Sequence, residues 1–241
     1  MEKTAVSPLL EKRLPRLTRE QRVSEILRVA REVFRERGYE GATVAEIAAR
    51  LGVVEGLIYK HFDSKRALLN RVLEDWYEGL YEDYAHHLSG IRGSRQQLRY
   101  LIWRHVRTFG DDPQTCRLVL KELRAEPNYL DSELHQMNRR YTQLLVEVLH
   151  DGIRRGEFRP DIPVPLVRDM VFGSVEHHLW GFLYGQSSLD ADHVADRITE
   201  LVCGGIVAHD GAAGLASQTE RLATLIDRME GALEDRGAAT S

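Results

Sequence analysis

The feature that most constrains the fold is the segment of residues 26–69, because it predicts short helices separated by very few residues. Just before it, Thr18 and Gln21 have the spacing of a capping box, in which a hydroxyl and an amide each bind the other residue's backbone N–H. Apolar residues then recur at helical spacing up to Gly38, which predicts a left-handed end for the first helix. The chain is therefore expected to turn at this glycine.

The next two predicted helices are so close together that only a tight turn can join them. Thr43 and Glu46 form a second capping-box pattern, and Gly52 predicts the end of that helix. A further helix is predicted over residues 55–62. Two short helices joined by a glycine-containing turn are the helix-turn-helix arrangement, whose second helix lies in the major groove of DNA.

Three motifs occupy this segment: AxxxFxxxGY at residues 30–39, TVAEIAxxxGV at residues 43–53 and GxxYxHFxSKxxLL at residues 56–69. Together they resemble the N-terminal domain of the TetR family of bacterial transcriptional regulators. Capping boxes and apolar stripes alone would also fit an ordinary all-α bundle. The resemblance implies phosphate contacts, which fix the protein's register on DNA, at five positions. These positions are Thr43, Tyr59, Lys60, His61 and Lys65.

The predicted reading helix departs from the usual family pattern. Val54 stands where many relatives have a Ser or Thr that caps this helix, and losing such a cap costs about 1 kcal/mol. Glu55 can accept a hydrogen bond from a cytosine amino group, or it can simply favour the start of the helix. Gly56 lets the backbone approach DNA closely, and Leu57 suits a thymine methyl group. We therefore expect Glu55, Gly56 and Leu57 to take part in DNA binding.

Charge divides the chain into a basic first part and an acidic remainder. Residues 1–71 hold 15 Lys and Arg against 10 Asp and Glu, whereas the remaining residues hold 18 against 27. The formal net charge of -4 argues against a protein that coats nucleic acid indiscriminately. A basic end on an acidic chain indicates a DNA-binding protein with one DNA-facing end.

Helical periodicity continues beyond the predicted DNA-binding domain, and neither an alternating strand pattern nor an internal repeat stands out. We predict an all-α protein, with an N-terminal three-helix bundle that contains the helix-turn-helix and a larger C-terminal helical domain for ligand binding and dimerisation. The predicted helices after the reading helix are 64–88, 96–109, 113–125, 130–155, 165–184 and 191–208. The predicted domains are a basic arm at 1–17, a DNA-binding domain at 18–71, a ligand-binding and dimerisation domain at 72–208, and a linker with an amphipathic helix at 209–241.

A homodimer is expected, since a single reading helix touches too few bases to select one site in a genome. The family resemblance implies that residues 165–184 and 191–208 pair with their copies in a four-helix bundle. Ordinary packing within one chain is the alternative reading of these helices. The apolar candidates for the interface are Val167, Met170, Val171, Val194, Ile198, Leu201 and Val202.

Residues 122–161 and 164–182 also resemble the acyl-CoA-responsive fatty-acid-degradation repressors of the same family. This second resemblance implies a pocket for an apolar acyl or aryl group, with basic side chains near a carboxylate, thioester or phosphate. Core packing and surface ion pairs are the alternative roles for these residues. The candidate ligand-binding residues are Trp103, Arg104, Arg107, Phe109, Leu118, Arg124, Met137, Tyr141, Leu144, Val148, Phe172 and Trp180.

Other kinds of chemistry find little support in the sequence. His177 and His178 are adjacent, so on a helix they point about 100° apart and predict no metal site. Cys116 and Cys203 lack CxxC spacing and are expected to be buried free thiols. No nucleophile–base pair, paired carboxylates or phosphate loop emerges, so neither an enzyme nor a cofactor is predicted. No signal peptide or membrane-spanning run is found, which predicts a cytoplasmic protein without a membrane partner.

These features predict a dimeric repressor of a pseudo-palindromic DNA operator. A small apolar effector, such as an acyl-CoA, an aryl-CoA or a related acid, would release it from DNA. The alternative is a DNA-binding regulator without a small-molecule effector, controlled by a protein partner that docks on a C-terminal helix at residues 215–233.

Overall fold

Helices make up nearly all of the regular structure. The computed structural model describes residues 18–123 and 127–208, within which no strand forms. Phe158 and Val207 make an isolated antiparallel bridge. The predicted all-α fold is confirmed. The helices are α1 (Arg19–Gly41), α2 (Val44–Leu51), α3 (Glu55–Tyr59), α4 (Lys65–Leu88), α5 (Ser94–Asp111), α6 (Pro113–Leu118), α7 (Glu133–Arg154), α8 (Val164–Leu183) and α9 (Ala191–Ile206), with a π-helical turn at Val119–Leu123 and a 3-10 turn at Tyr129–Asp131.

Two compact units divide the chain, and α4, α5 and α7 each run from one unit into the other. The predicted arm at residues 1–17, the predicted linker and helix at residues 209–241, and Arg124 lie outside the described residues. The bounds are Met1–Asp83 with Asp111–Tyr141 for the first unit, and Tyr84–Gly110 with Thr142–Ser241 for the second.

In the first unit, α1, α2, α3 and the start of α4 enclose an apolar core. The predicted helical stripe of α1 supplies much of it, and each of the two short helices adds one isoleucine that is almost fully buried. Burial of such side chains contributes roughly 1.5–3 kcal/mol each, so the small helices are held mainly by this core. Its largest members are Ile26, Phe34, Ile47, Ile58, Leu68 and Leu69.

The ends of α1 follow the sequence signals with one difference. Thr18 and Gln21 form both bonds of the capping box, with Thr18 N–H donating to Gln21 Oε1 at 2.9 Å and Gln21 N–H donating to Thr18 Oγ1 at 3.2 Å. Gly38 interrupts the helix with φ 69° and ψ 178°. The positive φ is as predicted, but this ψ lies outside the left-handed helical region, in a conformation that essentially only glycine adopts.

The second capping box is only half formed. Thr43 Oγ1 accepts from the backbone N–H of Glu46 at 3.1 Å and caps α2 as expected. The carboxylate of Glu46 does not return the bond, because it pairs with Arg50 at 2.7 Å and with Arg37 at 3.4 Å. Two charged donors thus engage the carboxylate that the capping box would need.

The bounds of two later helices differ from the prediction. Asp112 caps α6 and Pro113 takes its first turn as predicted, but α6 ends at Leu118 and continues as the π-helical turn rather than as an α-helix. The helix predicted over residues 130–155 begins only at α7. Ser132 Oγ accepts from the backbone N–H of His135 at 3.1 Å, so this serine starts a new helix.

In the second unit, the turn after α7 is held by a carboxylate and by an aromatic ring. The backbone N–H of Ser94, at the start of α5, donates to Glu157 Oε2 at 2.7 Å. Phe158 is 2% exposed and its ring lies directly against Gly152 of α7, where an added Cβ atom would collide with the ring. The structure thus requires glycine at 152 for close packing rather than for an unusual backbone angle.

Both cysteines are free and buried, as predicted. Burial raises the pKa of the Cys203 thiol, while the charge of Arg95 acts in the opposite direction. A raised pKa keeps this thiol protonated at neutral pH and therefore weakly nucleophilic.

Candidate DNA-binding site and effector region

The reading helix is shorter than predicted. α3 ends at Tyr59. After it the chain tightens into a turn, in which the N–H of His61 donates to the Ile58 carbonyl three residues back at 2.9 Å, beside the Phe62 N–H at 3.0 Å. Phe62 is buried, so the chain leaves the helix to place this ring in the core. Lys60 and His61 therefore lie in the turn after α3 rather than on the helix. The predicted end at residue 62 was wrong.

The start of α3 has no side-chain cap. Val54 adopts an extended backbone with φ -79° and ψ 144°, makes no capping hydrogen bond and is 76% exposed. The prediction that Val54 cannot cap this helix is confirmed. Glu55 follows it in the first turn and is exposed, where its charge is favourable with respect to the helix dipole.

Most of the predicted DNA-binding residues lie on the surface of the α2–α3 region. Leu57 and His61 are half-buried, and among the described residues no side-chain partner is found for Tyr59, Lys60 or His61. An added Cβ atom at Gly56 would meet nothing within 4 Å, so internal packing does not require glycine there. The exposed members of the predicted set are Thr43, Glu55, Gly56, Tyr59 and Lys60.

Lys65 stands apart from this exposed set. Its ammonium donates to the carbonyl oxygens of Tyr39 at 2.7 Å and of Ala42 at 3.0 Å. It also lies 4.3 Å from the centre of the Tyr39 ring. The neighbouring Arg66 contacts the same ring at 4.0 Å. Two of the three N–H groups of Lys65 are therefore used within the protomer.

A network of charged side chains joins α1 to α2. Arg50 binds both oxygens of Glu36, at 3.0 and 2.6 Å, and also binds Glu46 at 2.7 Å. Hydrogen bonds from Arg50 lower the pKa of Glu36 and of Glu46, so both remain ionised at neutral pH. The network holds the two helices together on an exposed side of the first unit.

A second ion-pair cluster in the first unit is centred on Asp112. Its Oδ1 accepts from the backbone N–H of Thr115 at 3.2 Å and caps α6. The same carboxylate pairs with Arg31 at 3.4 Å and with Arg35 at 3.0 Å, both on α1. Asp112 follows directly after α5. This one residue therefore caps α6 and also binds α1.

The candidate effector residues divide between the two units. Leu118 and Tyr141 are buried and Met137 is half-buried in the first unit. In the second unit, Phe109, Leu144 and Val148 are buried, Trp103, Arg104 and Phe172 are half-buried, and Arg107 is exposed.

Aromatic rings cluster around α5 in the second unit. His105, which is not among the candidates predicted from the sequence, is buried and packs edge-on against Phe109 at 5.3 Å and Phe172 at 4.8 Å. His105 lies four residues before Phe109 and so on the same helix face. This spacing is the sequence signal from which its contact with Phe109 could have been predicted. The indole N–H of Trp103 is buried and has no hydrogen-bond partner among the described residues.

Trp180 differs from the other aromatic candidates. It is 38% exposed on α8 and stacks on Tyr184, with ring centres 5.7 Å apart.

The large apolar residues of α8 and α9 divide into a set that is buried or half-buried and a set that is exposed. Val167, Val171 and Val194 are buried, whereas Ile198 and Val202 are half-buried. A second set is exposed, with three members on α8, one directly after it and one on α9: Leu166, Met170, Trp180, Tyr184 and Leu201.

In the described part of the chain, no three His, Cys, Asp or Glu side chains lie close enough to hold a metal ion. Across the same residues, no helix is both long and apolar enough to cross a membrane.

Two family profiles match the chain. The profile of bacterial regulatory proteins of the tetR family matches residues 26–72, and that of the YsiA-like protein C-terminal region matches residues 74–205. The second match alone spans more than half of the chain. The chain belongs to the TetR family. This TetR-family protein is a transcriptional regulator and not an enzyme.

Individual relatives extend along most of this regulator. The fatty acid metabolism regulator protein of Bacillus subtilis is 25% identical over 182 residues, which cover 76% of this chain and 94% of that protein. The HTH-type transcriptional repressor KstR2 of Mycobacterium tuberculosis is 30% identical over 194 residues, covering 77% and 92%. The crystal structure of Bacillus subtilis FadR in complex with stearoyl-CoA matches with a TM-score of 0.68 at 24% identity, covering 76% and 98%.

Proposed function

We propose that this TetR-family regulator is a homodimeric repressor that binds a pseudo-palindromic operator and leaves it when an apolar effector binds. The exposed surface formed by α2, α3 and the turn after α3 supports this role, because Tyr59 and Lys60 have no partner there among the described residues. Donor side chains held in the open by a rigid helix pair suit an external anion. Because the operator is chromosomal DNA, the proposal places the protein in the cytoplasm.

On DNA, α3 enters the major groove and its surroundings bind phosphates. Glu55 and Leu57 face base edges, where a carboxylate suits a cytosine amino group and a leucine suits a thymine methyl group. Gly56 has no side chain and therefore allows the backbone to approach DNA closely. Internal packing gives no other reason for a glycine at this position. The phosphate contacts come from Thr43, Tyr59, Lys60, His61 and Lys65. Lys65 binds the carbonyls of Tyr39 and Ala42 with two of its three N–H groups, which leaves the third for a phosphate.

The phosphate contacts are tested by the salt dependence of binding. Lys60→Met should lower the slope of log affinity against log salt by about 1, since one fewer counterion is released. Tyr59→Phe should weaken binding to all sequences without changing that slope. Arg140→Met is a matched control, because it removes one cation from α7, where Arg140 pairs with Glu78 at 2.9 Å. An unchanged affinity in both Lys60→Met and Tyr59→Phe would remove the basis for this binding mode.

The dimer is formed by the exposed apolar face of α8 and α9. Leu166, Met170 and Leu201 are 54%, 58% and 78% exposed, and burial of such side chains in a partner releases ordered water. Two reading helices at a fixed spacing then select two half-sites on one face of DNA.

The effector is an apolar acyl or aryl acid or its CoA thioester. The stearoyl-CoA bound to the related FadR supports a long acyl group, and the aromatic cluster of His105, Phe109 and Phe172 supplies apolar surface in the second unit. The buried indole N–H of Trp103 offers a donor to a ligand oxygen, and an unsatisfied buried donor costs roughly 1–3 kcal/mol. Arg104 and Arg107 supply positive charge on the same helix.

A thermal-shift panel with acyl-CoAs, aryl-CoAs and the free acids tests the effector class. A CoA ester at 100 times its Kd should stabilise the protein by about 2.7 kcal/mol. Trp103→Phe should weaken the best compound by roughly threefold to tenfold, because it loses one hydrogen bond. Trp76→Phe, on α4 in the first unit and outside the candidate set, is the matched control and should leave the affinity unchanged. No stabilisation by any compound would remove the effector assignment and leave the DNA-binding role intact.

Release from DNA requires that the effector prefer a state in which the two reading helices are wrongly spaced. Coupling of this kind is worth roughly 1–3 kcal/mol in most regulated proteins. α4 provides one continuous helical connection from the DNA-binding unit into the second unit, and we assign the coupling to a change in its tilt.

A further inference from the structure

Val54, directly before α3, exposes an apolar side chain on the surface proposed to bind DNA. It is 76% exposed, and among the described residues only Leu201 is a more exposed large apolar side chain. Glu55 and Gly56, which follow it, are also exposed, so Val54 extends the surface that they form. We propose that Val54 is a specificity-determining residue, which packs against the C5-methyl group of a thymine in the operator.

Neither capping nor internal packing accounts for a valine at this position. Its backbone is extended, as in residues that cap a helix, yet its side chain makes no hydrogen bond to the start of α3. A serine or threonine would bind one of the free N–H groups there and stabilise the helix. Because the side chain is mostly exposed, the core does not require it either. Val54 thus presents methyl groups to the surroundings where a hydroxyl would stabilise the protein.

Hydrogen bonds on both sides of Val54 fix its backbone. Its carbonyl accepts from the N–H of Leu57 at 2.9 Å. The N–H of the preceding Val53 donates to the carbonyl of Ala48, on α2, at 3.0 Å. A β-branched side chain also has few rotamers, so the methyl groups of Val54 are held in a restricted position before DNA binds. Little conformational freedom is therefore lost when they contact a base.

The chemistry of the side chain selects the thymine methyl group among the groups that DNA presents. Val54 has no donor for a phosphate oxygen, and neither a donor nor an acceptor for the polar edge of a base. In the major groove, the C5-methyl group of thymine is the apolar group on a base edge. The N-terminal residues of a reading helix are the ones that contact base edges in a helix-turn-helix. Val54 stands at that end of α3 and therefore favours a thymine in each half-site.

Deoxyuridine tests this contact, because it pairs like thymine and lacks the C5-methyl group. The operator is selected from random DNA by the wild-type protein, and each of its thymines is replaced in turn, at the same position of both half-sites. Binding of every fragment is measured with the wild type, Val54→Ala and Leu130→Ala. Leu130→Ala is the matched control, because Leu130 is a similarly exposed apolar residue, at 72%, on the turn before α7.

We expect at least one thymine whose replacement weakens wild-type binding by about tenfold to twentyfold, since both copies of the chain lose contact with a methyl group. At this position Val54→Ala should lose less than about twofold, whereas Leu130→Ala should lose as much as the wild type. On the thymine operator, Val54→Ala should bind about tenfold to twentyfold more weakly than the wild type. Leu57→Ala should keep the dependence on this methyl group, which separates the contact of Val54 from that of Leu57.

Two results would overturn this role of Val54: wild-type binding that is the same for every deoxyuridine fragment as for the thymine operator, or a dependence on the methyl group that persists in Val54→Ala. If Val54→Ala does not fold, Val54→Ser takes its place, because it also removes both methyl groups and can cap α3. The role presupposes the proposed DNA-binding function, and the two fail differently. A wild-type protein that selects no DNA sequence removes the proposed function, whereas selection without methyl dependence removes only the role of Val54.

Discussion

At the scale of single residues, two glycines are required for different physical reasons. Gly38 has a positive φ that a side chain would strain, and it breaks α1 just before the carbonyl groups that Lys65 binds. Gly152 has an ordinary helical backbone, but the ring of Phe158 occupies the space of a Cβ atom. The first requirement is visible in the sequence as a helix stop, whereas the second depends on packing.

Gly152→Ala is expected to destabilise the protein. Phe158 is almost fully buried and cannot move away freely, so the added methyl group should cost about 1–3 kcal/mol through overpacking. Gly79→Ala on α4 is the control, because its Cβ atom would meet nothing within 4 Å. The control should gain roughly 0.5–1 kcal/mol from helix propensity. Urea unfolding measures the stability of both variants. An unchanged stability for Gly152→Ala would show that the Phe158 ring does not require glycine at 152.

Val54→Thr is expected to stabilise α3. Val54 already has the extended backbone of a capping residue, so a hydroxyl there can accept from the first free N–H groups of the helix. The gain should be about 1 kcal/mol in the free energy of unfolding, and Val54→Ala should show no such gain. Equal stabilities for the two variants would show that position 54 cannot cap this helix.

At the scale of elements, caps and helix stops were predictable because they depend on neighbours in the sequence. Thr18, Thr43, Gly52 and Asp112 all act at the helix ends where their patterns placed them. Long-range partners were not predictable in the same way. Nothing local indicates that Lys65 binds the end of α1.

The early end of α3 has a similar cause. The period of apolar residues continued to Phe62, but the ring is buried from a turn rather than from the helix. The sequence could therefore indicate which residues of the candidate site lie in and around α3. It could not indicate which of their side chains bind other groups of the same protomer.

Asp112 connects two elements and provides an element-scale prediction. Asp112→Ala removes the α6 cap and both ion pairs to α1, and the cap alone is worth about 1 kcal/mol. Asp112→Asn keeps an oxygen for the cap and loses only the charge, so it should lose less stability. Thermal unfolding of the two variants measures the difference. Equal losses would show that the cap contributes nothing, and no loss in either would contradict the role of Asp112.

At the scale of the whole molecule, the proposed binding to a two-half-site operator requires two copies of the chain. The described residues leave Leu201 and Met170 exposed on α9 and α8, which a monomer in water does not favour. Leu201→Asp should shift the protein towards the monomer in sedimentation and lower operator affinity at the same time. Glu200→Gln, at the neighbouring exposed position, is the control and should remain dimeric. A dimeric Leu201→Asp protein would place the interface elsewhere.

Regulation as proposed requires that an apolar effector in the C-terminal domain release the protein from DNA. The most direct measurement is the fluorescence anisotropy of an operator fragment, selected from random DNA by the protein itself, with and without stearoyl-CoA and aryl-CoAs. We expect at least one CoA ester to weaken operator binding by about 5-fold to 150-fold, with no effect of free CoA. Operator affinity that is the same with every ester, at concentrations that stabilise the free protein, would contradict it.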